Sequence, residues 1–571
     1  MLGSTYSPPA ILNRWTPLVA GMYLEICGGS VYITSLYLTT VKDLWFPLQD
    51  NADQMMQQLV FASNLGCWVP FAGIFYDSRF GGPRNTVLCG ALFTLVGYCG
   101  MWLCAANPQY GSFALLWIFW FLWGHGAGYF DCAVVATSAS NFPGARGKVM
   151  GVVKAFYGLS GSLLTQVYRA FFSGEGQVPA FLLFLGLAQP AFAVLLSPLL
   201  RRLPHAGDND SPGRRFVLGY ALVLLLAFLV LSADLLRASI PSLADSNAEA
   251  RGYSAGVLAA VVVVAAFLPC MSWKGATSAE QALLPAQEGA DDAEKPAVSG
   301  RACAITPEAA TSTRAGEIRD APTDSVAEAS LLHTAMTINF WLVFVAVFAG
   351  TGGGLVMLNN LKTIVEAHLG SADGEGAVHA KNTSDVLVSL ASVCNCLGRM
   401  VAGAGSDALR FRVPRPVFMG AAVVGMGAAH ALLLGGSLEV LLYLGVCVGG
   451  LSYGAFWSLI PTLTGELFGM KVYASVYSSF AMAVSLGSLL LSTELASSVY
   501  DANILSTPPS PPPRSGLSLP PSPPIVAKTC FGDACYRTTH LVVIGVCGVG
   551  TACMVVLYFR TRAFYMSTSR R

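Results

Sequence analysis

Charge is what this 571-residue chain has least of: Asp, Glu, Lys and Arg together make up 11%, against about 25% in soluble globular domains. So thin a supply cannot clothe a soluble globule of this size. No Cys-x-x-Cys pair, no His-x-x-x-His and no Gly-Lys-Ser/Thr loop occurs, so zinc, dithiol redox and phosphate-loop chemistry lack their residues. No Ser/His/Asp or paired-acid constellation stands out. The chain therefore reads as no enzyme and as needing no cofactor. A net charge of +1 gives no electrostatic reason for a nucleic-acid partner. The fifteen cysteines sit mostly inside apolar runs, as Cys27, Cys89, Cys394 and Cys447 do, and read as small buried hydrophobes. The polar, Pro-containing first ten residues do not look like a cleavable leader.

What the chain has is apolar length: 54% hydrophobic residues and a mean hydropathy of +0.58. Runs of about 20 apolar residues mark membrane helices; barrel strands would alternate over about 10. Fourteen spans are expected near 15–40, 55–76, 86–105, 112–137, 149–172, 179–200, 216–236, 254–271, 335–361, 385–404, 416–435, 438–463, 472–495 and 539–560. The fold class is an all-α polytopic membrane protein, with two six-helix lobes (15–203 and 334–560) and two extra central helices (204–272). Segment 273–333, rich in Ala, Glu, Asp and Ser, reads as a disordered cytosolic linker. Segment 496–537 reads as an external loop with a stiff Pro-rich tract at 507–524. Residues 1–14 and the basic 561–571 read as cytosolic tails. With the N-terminus inside, eighteen Lys and Arg fall on inner segments, Arg399 and Arg415 among them, against five on short outer loops. Cys530 and Cys535 then lie outside, where a disulfide competes with two free thiols, and Asn382-Thr-Ser is a glycosylation sequon in an external loop.

Two inner loops repeat. The first runs from Gly73 through Asp77 and Arg79 to Pro83-Arg84; the second from Gly403 through Asp407, Arg410 and Arg412 to Pro414-Arg415. Each joins the second and third helix of its group. Gly lets helices approach closely, and the Asp is expected to pair with basic groups of the other bundle, as a gate between two halves. This Gly-x-x-x-Asp…Arg loop resembles the inner signature loop of the major facilitator superfamily. Segments 13–35, 141–168, 348–360, 389–403 and 449–471 resemble that superfamily's nodulin-like branch more closely. The resemblance implies a two-lobed alternating-access carrier. The branch also looks related to oxalate/formate-type and monocarboxylate carriers, which tilts the substrate towards small organic anions.

Charges within spans need a reason, because each costs about 2.5–3.5 kcal/mol on insertion scales. Glu25 sits mid-depth in the first span with Gly28, Gly29 and Tyr32 following; it reads as a proton or substrate site, or as an acid capped by a neighbouring helix. Asp131 and Lys154 lie at matching depth on sequential antiparallel spans, where they form a structural lock or meet an anionic substrate. Arg169 reads as snorkelling to the outer interface. His125, in Gly-His-Gly-Ala-Gly, reads as a packed histidine ahead of a proton relay. Asn359 and Asn360 follow a Gly-Thr-Gly-Gly-Gly run (350–354) expected to loosen or break its helix. Gly445, Gly449, Gly450 and Gly454 read as close-packing positions. Tyr453 and Trp457, one turn apart, either line a cavity or pack the core.

The leading function is a secondary transporter of a small solute, best guessed as a small organic anion such as a monocarboxylate, with protons as the candidate coupling ion. The alternative is a non-transporting membrane nutrient sensor on a carrier scaffold. Expected partners are the substrate and the lipid bilayer; the oligomeric state and the choice between plasma and organelle membrane stay open.

Overall fold

The computed structural model describes residues 13–45, 52–107, 109, 111–174, 176–203, 213–244, 248–272, 330–370, 374–504 and 530–569. Most of the expected linker 273–333, the Pro-rich tract and the extreme N-terminus lie outside these residues. No strand occurs among the described residues. Backbone N–H and C=O groups have no water to turn to in lipid, and helices satisfy them internally.

Among the described residues, twelve helices are long and apolar enough to cross a membrane. We label the membrane helices in chain order: α2 (Met55–Asp77), α3 (Gly82–Ala106), α4 (Phe113–Asn141), α6 (Val178–Leu199), α7 (Gly213–Arg237), α8 (Ala248–Ser272), α9 (Ile338–Asn359), α10 (His379–Ala408), α11 (Arg415–Leu433), α12 (Glu439–Leu467), α13 (Tyr473–Ala502) and α14 (Ala534–Tyr565). Two further helices, α1 (Trp15–Gly28) and α5 (Arg146–Phe171), lie where the first and fifth spans are expected. Helix α1 passes directly into a 3₁₀ segment, Gly29–Leu36. At 1.5 Å and 2.0 Å rise per residue the two pieces together reach about 37 Å, enough for a core of about 30 Å. Helix α5 is long enough, but its Lys and Arg residues dilute its apolar character. These two helices carry Glu25 and Lys154.

The halves meet along two seams, α5 against α10 and α2 against α13; α5 also touches α12, and α4 touches α13. The extra pair packs beside the first seam, with α7 on α5 and α10 and α8 on α5 and α7. The start of α1 and the end of α14 lie on one face, called here the terminal face.

Four expectations need correction. The glycine run 350–354 does not break its helix: α9 is continuous from Ile338 to Asn359. These glycines instead admit neighbours, since a Cβ on Gly350 would lie 1.9 Å from the Phe456 ring and one on Gly354 2.2 Å from the Tyr453 ring. Asn382 is not in a loop. It is exposed on the helix Gly374–Ala408, whose next residue, Thr383, donates to Glu439 Oε1 at 3.3 Å. The chain after span thirteen stays helical to Ala502 by way of a π-helical stretch, Ser488–Leu495, so the following loop is shorter than expected. The tail expected at 561–571 is helical as far as Ser569.

Glycine also sets the closest helix approach. A Cβ on Gly398 of α10 would lie 2.1 Å from Leu451 O of α12, and one on Gly454 of α12 2.0 Å from Asn395 O of α10. Gly405, also on α10, faces open space. Gly454→Ala should therefore lower the melting temperature of the detergent-solubilised protein by several degrees, and Gly405→Ala should leave it unchanged or slightly raised. Thermal unfolding followed by intrinsic fluorescence checks both.

Candidate functional site

Charged side chains from both lobes converge where the seams meet. Lys154 of α5 and Asp131 of α4 form a buried ion pair, and Tyr477 of α13 donates to the other Asp131 oxygen at 2.8 Å. The ammonium of Lys154 lies 5.1, 5.4 and 5.5 Å from the Tyr157, Trp457 and Tyr477 ring centres, within cation–π range. Glu25 of α1 is fully buried, and neither carboxylate oxygen receives a hydrogen bond among the described residues. The charges that act on it are those of Lys154, Asp131 and Arg399.

Arg399 is the residue that loop counting hid. Five residues from the expected cytosolic end of its span, it counts among the inner charges; in the fold it is fully buried on α10. It donates to Asn395 Oδ1 at 3.0 Å within its own helix. Across the lobe boundary it donates to the Lys154 carbonyl at 2.6 Å and to the Tyr32 hydroxyl at 3.3 Å. Its signal was present in the sequence: Asn395 and Arg399 are i, i+4 inside a span, so one face of α10 is polar.

The remaining candidates divide. Tyr32 stands edge-on to Tyr157 at 5.7 Å, and Tyr453 reaches Tyr32 and Arg399, so both belong to the centre. Trp457 packs edge-on to Tyr453 at 6.0 Å. Asn359 and Asn360 do not reach it; both donate to Ser492 Oγ, at 3.0 and 3.4 Å, in the π-helical part of α13. His125 donates through Nδ1 to the Gly66 carbonyl at 2.9 Å and is surrounded by Phe93, Phe121 and Tyr129, a packed histidine. Arg169 does not snorkel freely: it pairs with Asp234 of α7 at 2.6 Å. Cys530 and Cys535 are joined as a disulfide on the face away from the termini.

The repeated loops form matched contacts on the terminal face, but not the expected pairs. Asp77 accepts from Ser475 N and Ser475 Oγ, both at 2.8 Å. Asp407 accepts from Gly147 N at 3.1 Å and Lys148 N at 2.7 Å. Each acid thus caps free amides at the start of a helix in the opposite lobe, α13 or α5, where the helix dipole favours a negative charge. Gly73 and Gly403 permit this: a Cβ there would lie 2.1 Å from Ala474 O or 2.4 Å from Gly147 O. Among the arginines, Arg410 crosses to Gly144 O at 2.6 Å, whereas Arg79, Arg84 and Arg412 are exposed. The buried arginine is Arg415, which holds Asp407 and Glu466 at 2.5 Å each.

Residues 14–270 match the family model described as Nodulin-like, and residues 325–503 the one described as NFD4, C-terminal domain. The chain is a nodulin-like member of the major facilitator superfamily. It is 25% identical to Protein NUCLEAR FUSION DEFECTIVE 4 of Arabidopsis thaliana over 575 residues, covering 97% of this chain and 90% of that one. Over 120 residues, 20% of this chain and 24% of the other, it is 31% identical to a "Probable transporter MCH1" of Yarrowia lipolytica (strain CLIB 122 / E 150). Among solved structures it resembles the proton:xylose symporter XylE, with a TM-score of 0.53 and 12% identity over 96% of this chain and 95% of that one. That likeness shows the fold: an integral, multi-pass membrane protein with the architecture of superfamily transporters.

Removing one partner of the Lys154–Asp131 pair leaves an unpaired charge in a dry interior. Lys154→Ala should cost roughly 3–5 kcal/mol of stability, and the double variant Lys154→Ala/Asp131→Ala should recover much of it. Melting temperatures of the four proteins in one detergent check the sign of the coupling.

Proposed function

We propose that this chain is a proton-coupled secondary transporter of a small organic anion, a monocarboxylate in the leading reading. It works by alternating access between the two lobes. The carrying observation is the pair of buried cations, Lys154 and Arg399, contributed by opposite lobes to one aromatic-walled centre. Four ionisable groups there cost about 10–14 kcal/mol together on insertion scales, which packing alone does not require. With Glu25 ionised, two carboxylates balance two cations. With Glu25 protonated, one positive charge is left for an anion. A proton on Glu25 and a monoanion beside Arg399 then enter together at no net charge.

Arg399 supplies the anion-binding group in this reading, because its guanidinium presents several donors in a planar fork suited to carboxylate. The sugar named in the symporter structure is a weaker guide, since a neutral sugar gives two buried cations no counter-charge. Alternating access is supported by the matched caps: Asp77 and Asp407 close both seams on the terminal face, and the lobes must part there to open it. We place that face in the cytosol. With Arg399 removed from the loop count, the bias is seventeen (18 − 1) against five, and the disulfide lies on the opposite, oxidising side.

The test is uptake into proteoliposomes of labelled monocarboxylates, dicarboxylates, amino acids and sugars, with and without an inward proton gradient. Gradient-stimulated monocarboxylate uptake is expected. Glu25→Gln should abolish the stimulation, and Arg399→Ala should abolish uptake. Uptake confined to sugars, or a Glu25→Gln protein with full gradient dependence, would sink the reading.

A further inference from the structure

Helices α7 and α8 stand outside the two six-helix lobes, and their polar contacts are unevenly shared. To the N-terminal lobe they are tied at both faces. Tyr220 of α7 donates to the Lys148 carbonyl of α5 at 2.9 Å, near the terminal face. Tyr23 of α1 donates to the Ala265 carbonyl of α8 at 2.8 Å, and Asn13 donates to the Ser272 carbonyl at 2.7 Å. Near the other face, Asp234 of α7 receives Arg169 at 2.6 Å and Gln166 at 3.1 Å, both on its Oδ1 and both from α5. The hairpin is thus fastened to α5 near both faces.

The second oxygen of Asp234 points the other way. Its Oδ2 accepts from Ser389 Oγ of α10, in the C-terminal lobe, at 3.3 Å. One carboxylate therefore spans the α5/α10 seam in the half of the membrane away from the termini. The Asp234 and Arg169 side chains are 15% and 28% exposed, so the charge pair is partly buried. On the terminal side the same seam is closed by Asp407 on the amides of Gly147 and Lys148. The seam is pinned at both ends, and the pin away from the termini comes from a helix outside the twelve-helix frame.

We propose that Asp234 is the latch of the α5/α10 seam on the face away from the termini, carried by the accessory helix α7 and released when Ser389 parts from it. This rests on the alternating-access reading. Arg169 and Gln166 are positioning residues: they fix the carboxylate so that Oδ2 faces α10. Losing the Ser389 contact removes one hydrogen bond across the seam and nothing within either lobe, so it biases the protein towards opening on that face.

Two native thiols report this without knowledge of the substrate. Cys67 of α2 is buried at the centre, with its sulfur 3.8 Å from the Tyr157 hydroxyl, and its helix reaches the face away from the termini past Asn64, which lies against Ser485 and Ser488. Cys132 of α4 is buried against Ser478 of α13, between the centre and the terminal face. The experiment labels the full-length protein in vesicles of each orientation with a charged, membrane-impermeant thiosulfonate and reads both cysteines by peptide mass mapping. In Ser389→Ala the labelling rate of Cys67 from the face away from the termini should rise at least threefold, while that of Cys132 from the terminal face falls. Asp234→Asn should shift both in the same directions. A rise at both cysteines would mean general loosening and would overturn the latch. So would unchanged rates in a folded Ser389→Ala protein. Protection of both cysteines from both faces in every variant would overturn alternating access itself, and the latch with it.

Discussion

An ionised side chain in hydrocarbon has to find its counter-charge on another helix, and this requirement organises the molecule. Lys154 cannot be satisfied by α5 alone, so α4 brings Asp131 and α13 brings Tyr477. Arg399 is held partly by Asn395 on its own helix, but its remaining donors reach the Lys154 carbonyl and the Tyr32 hydroxyl of the other lobe. The two halves are therefore joined at mid-membrane by polar contacts as well as by apolar packing. Lipid tails solvate apolar faces as well as a neighbouring helix does, so polar and close-packed contacts hold such a bundle together. A centre built this way is costly to keep and sensitive to any ligand that offers the cations a different partner.

The same requirement explains which parts of the fold were legible in the sequence. Long apolar runs gave the twelve strongly hydrophobic helices. The repeat of Gly73…Asp77 at Gly403…Asp407 gave the lobes and their matched contacts. Glu25, Asp131 and Lys154 announced themselves as charges inside spans. Arg399 did not, because an arginine five residues from a cytosolic span end also satisfies a positive-inside count. The helix in fact runs on to Ala408, which leaves Arg399 deep within it. Asp234 was hidden in the same way, in a helix whose high hydropathy drew attention to its length rather than to its one acid. The glycines of α9 misled in the other direction. In water such a run loosens a helix, but in lipid the backbone bonds cannot be released, and the missing side chains become room for Phe456 and Tyr453.

The acids of the repeated loops also show how a local rule is overridden by a tertiary one. A carboxylate beside several arginines reads as one half of an ion pair. Asp77 binds an amide and a hydroxyl of Ser475 instead, and Asp407 adds two amides of the other lobe to its pair with Arg415, because the starts of α13 and α5 offer free N–H groups with a favourable dipole and need no flexible side chain to be fixed. The exposed Arg79, Arg84 and Arg412 stay in solvent, where a pair would gain little.

The two halves of this device are alike in their caps and unlike in what stands behind them. Asp407 is held by Arg415, Arg415 by Glu466, and Glu466 receives the Tyr565 hydroxyl at 2.9 Å from the last turns of α14. At the corresponding place in the first half, Arg84 is exposed, and Asn141, at the end of α4, bonds the backbone of Arg201 and Leu203. Opening the α2/α13 seam on the terminal face thus breaks Asp77 from two donors of one serine. Opening the α5/α10 seam there pulls Asp407 from two amides while Arg415 holds it in place. The first contact is held by geometry alone, the second by geometry and a buried charge network. Towards the other face each seam also carries a contact between the lobes, Asp234 to Ser389 on the α5/α10 side and Asn64 to Ser488 on the α2/α13 side, so the two seams differ chiefly in the buried charge network behind Asp407.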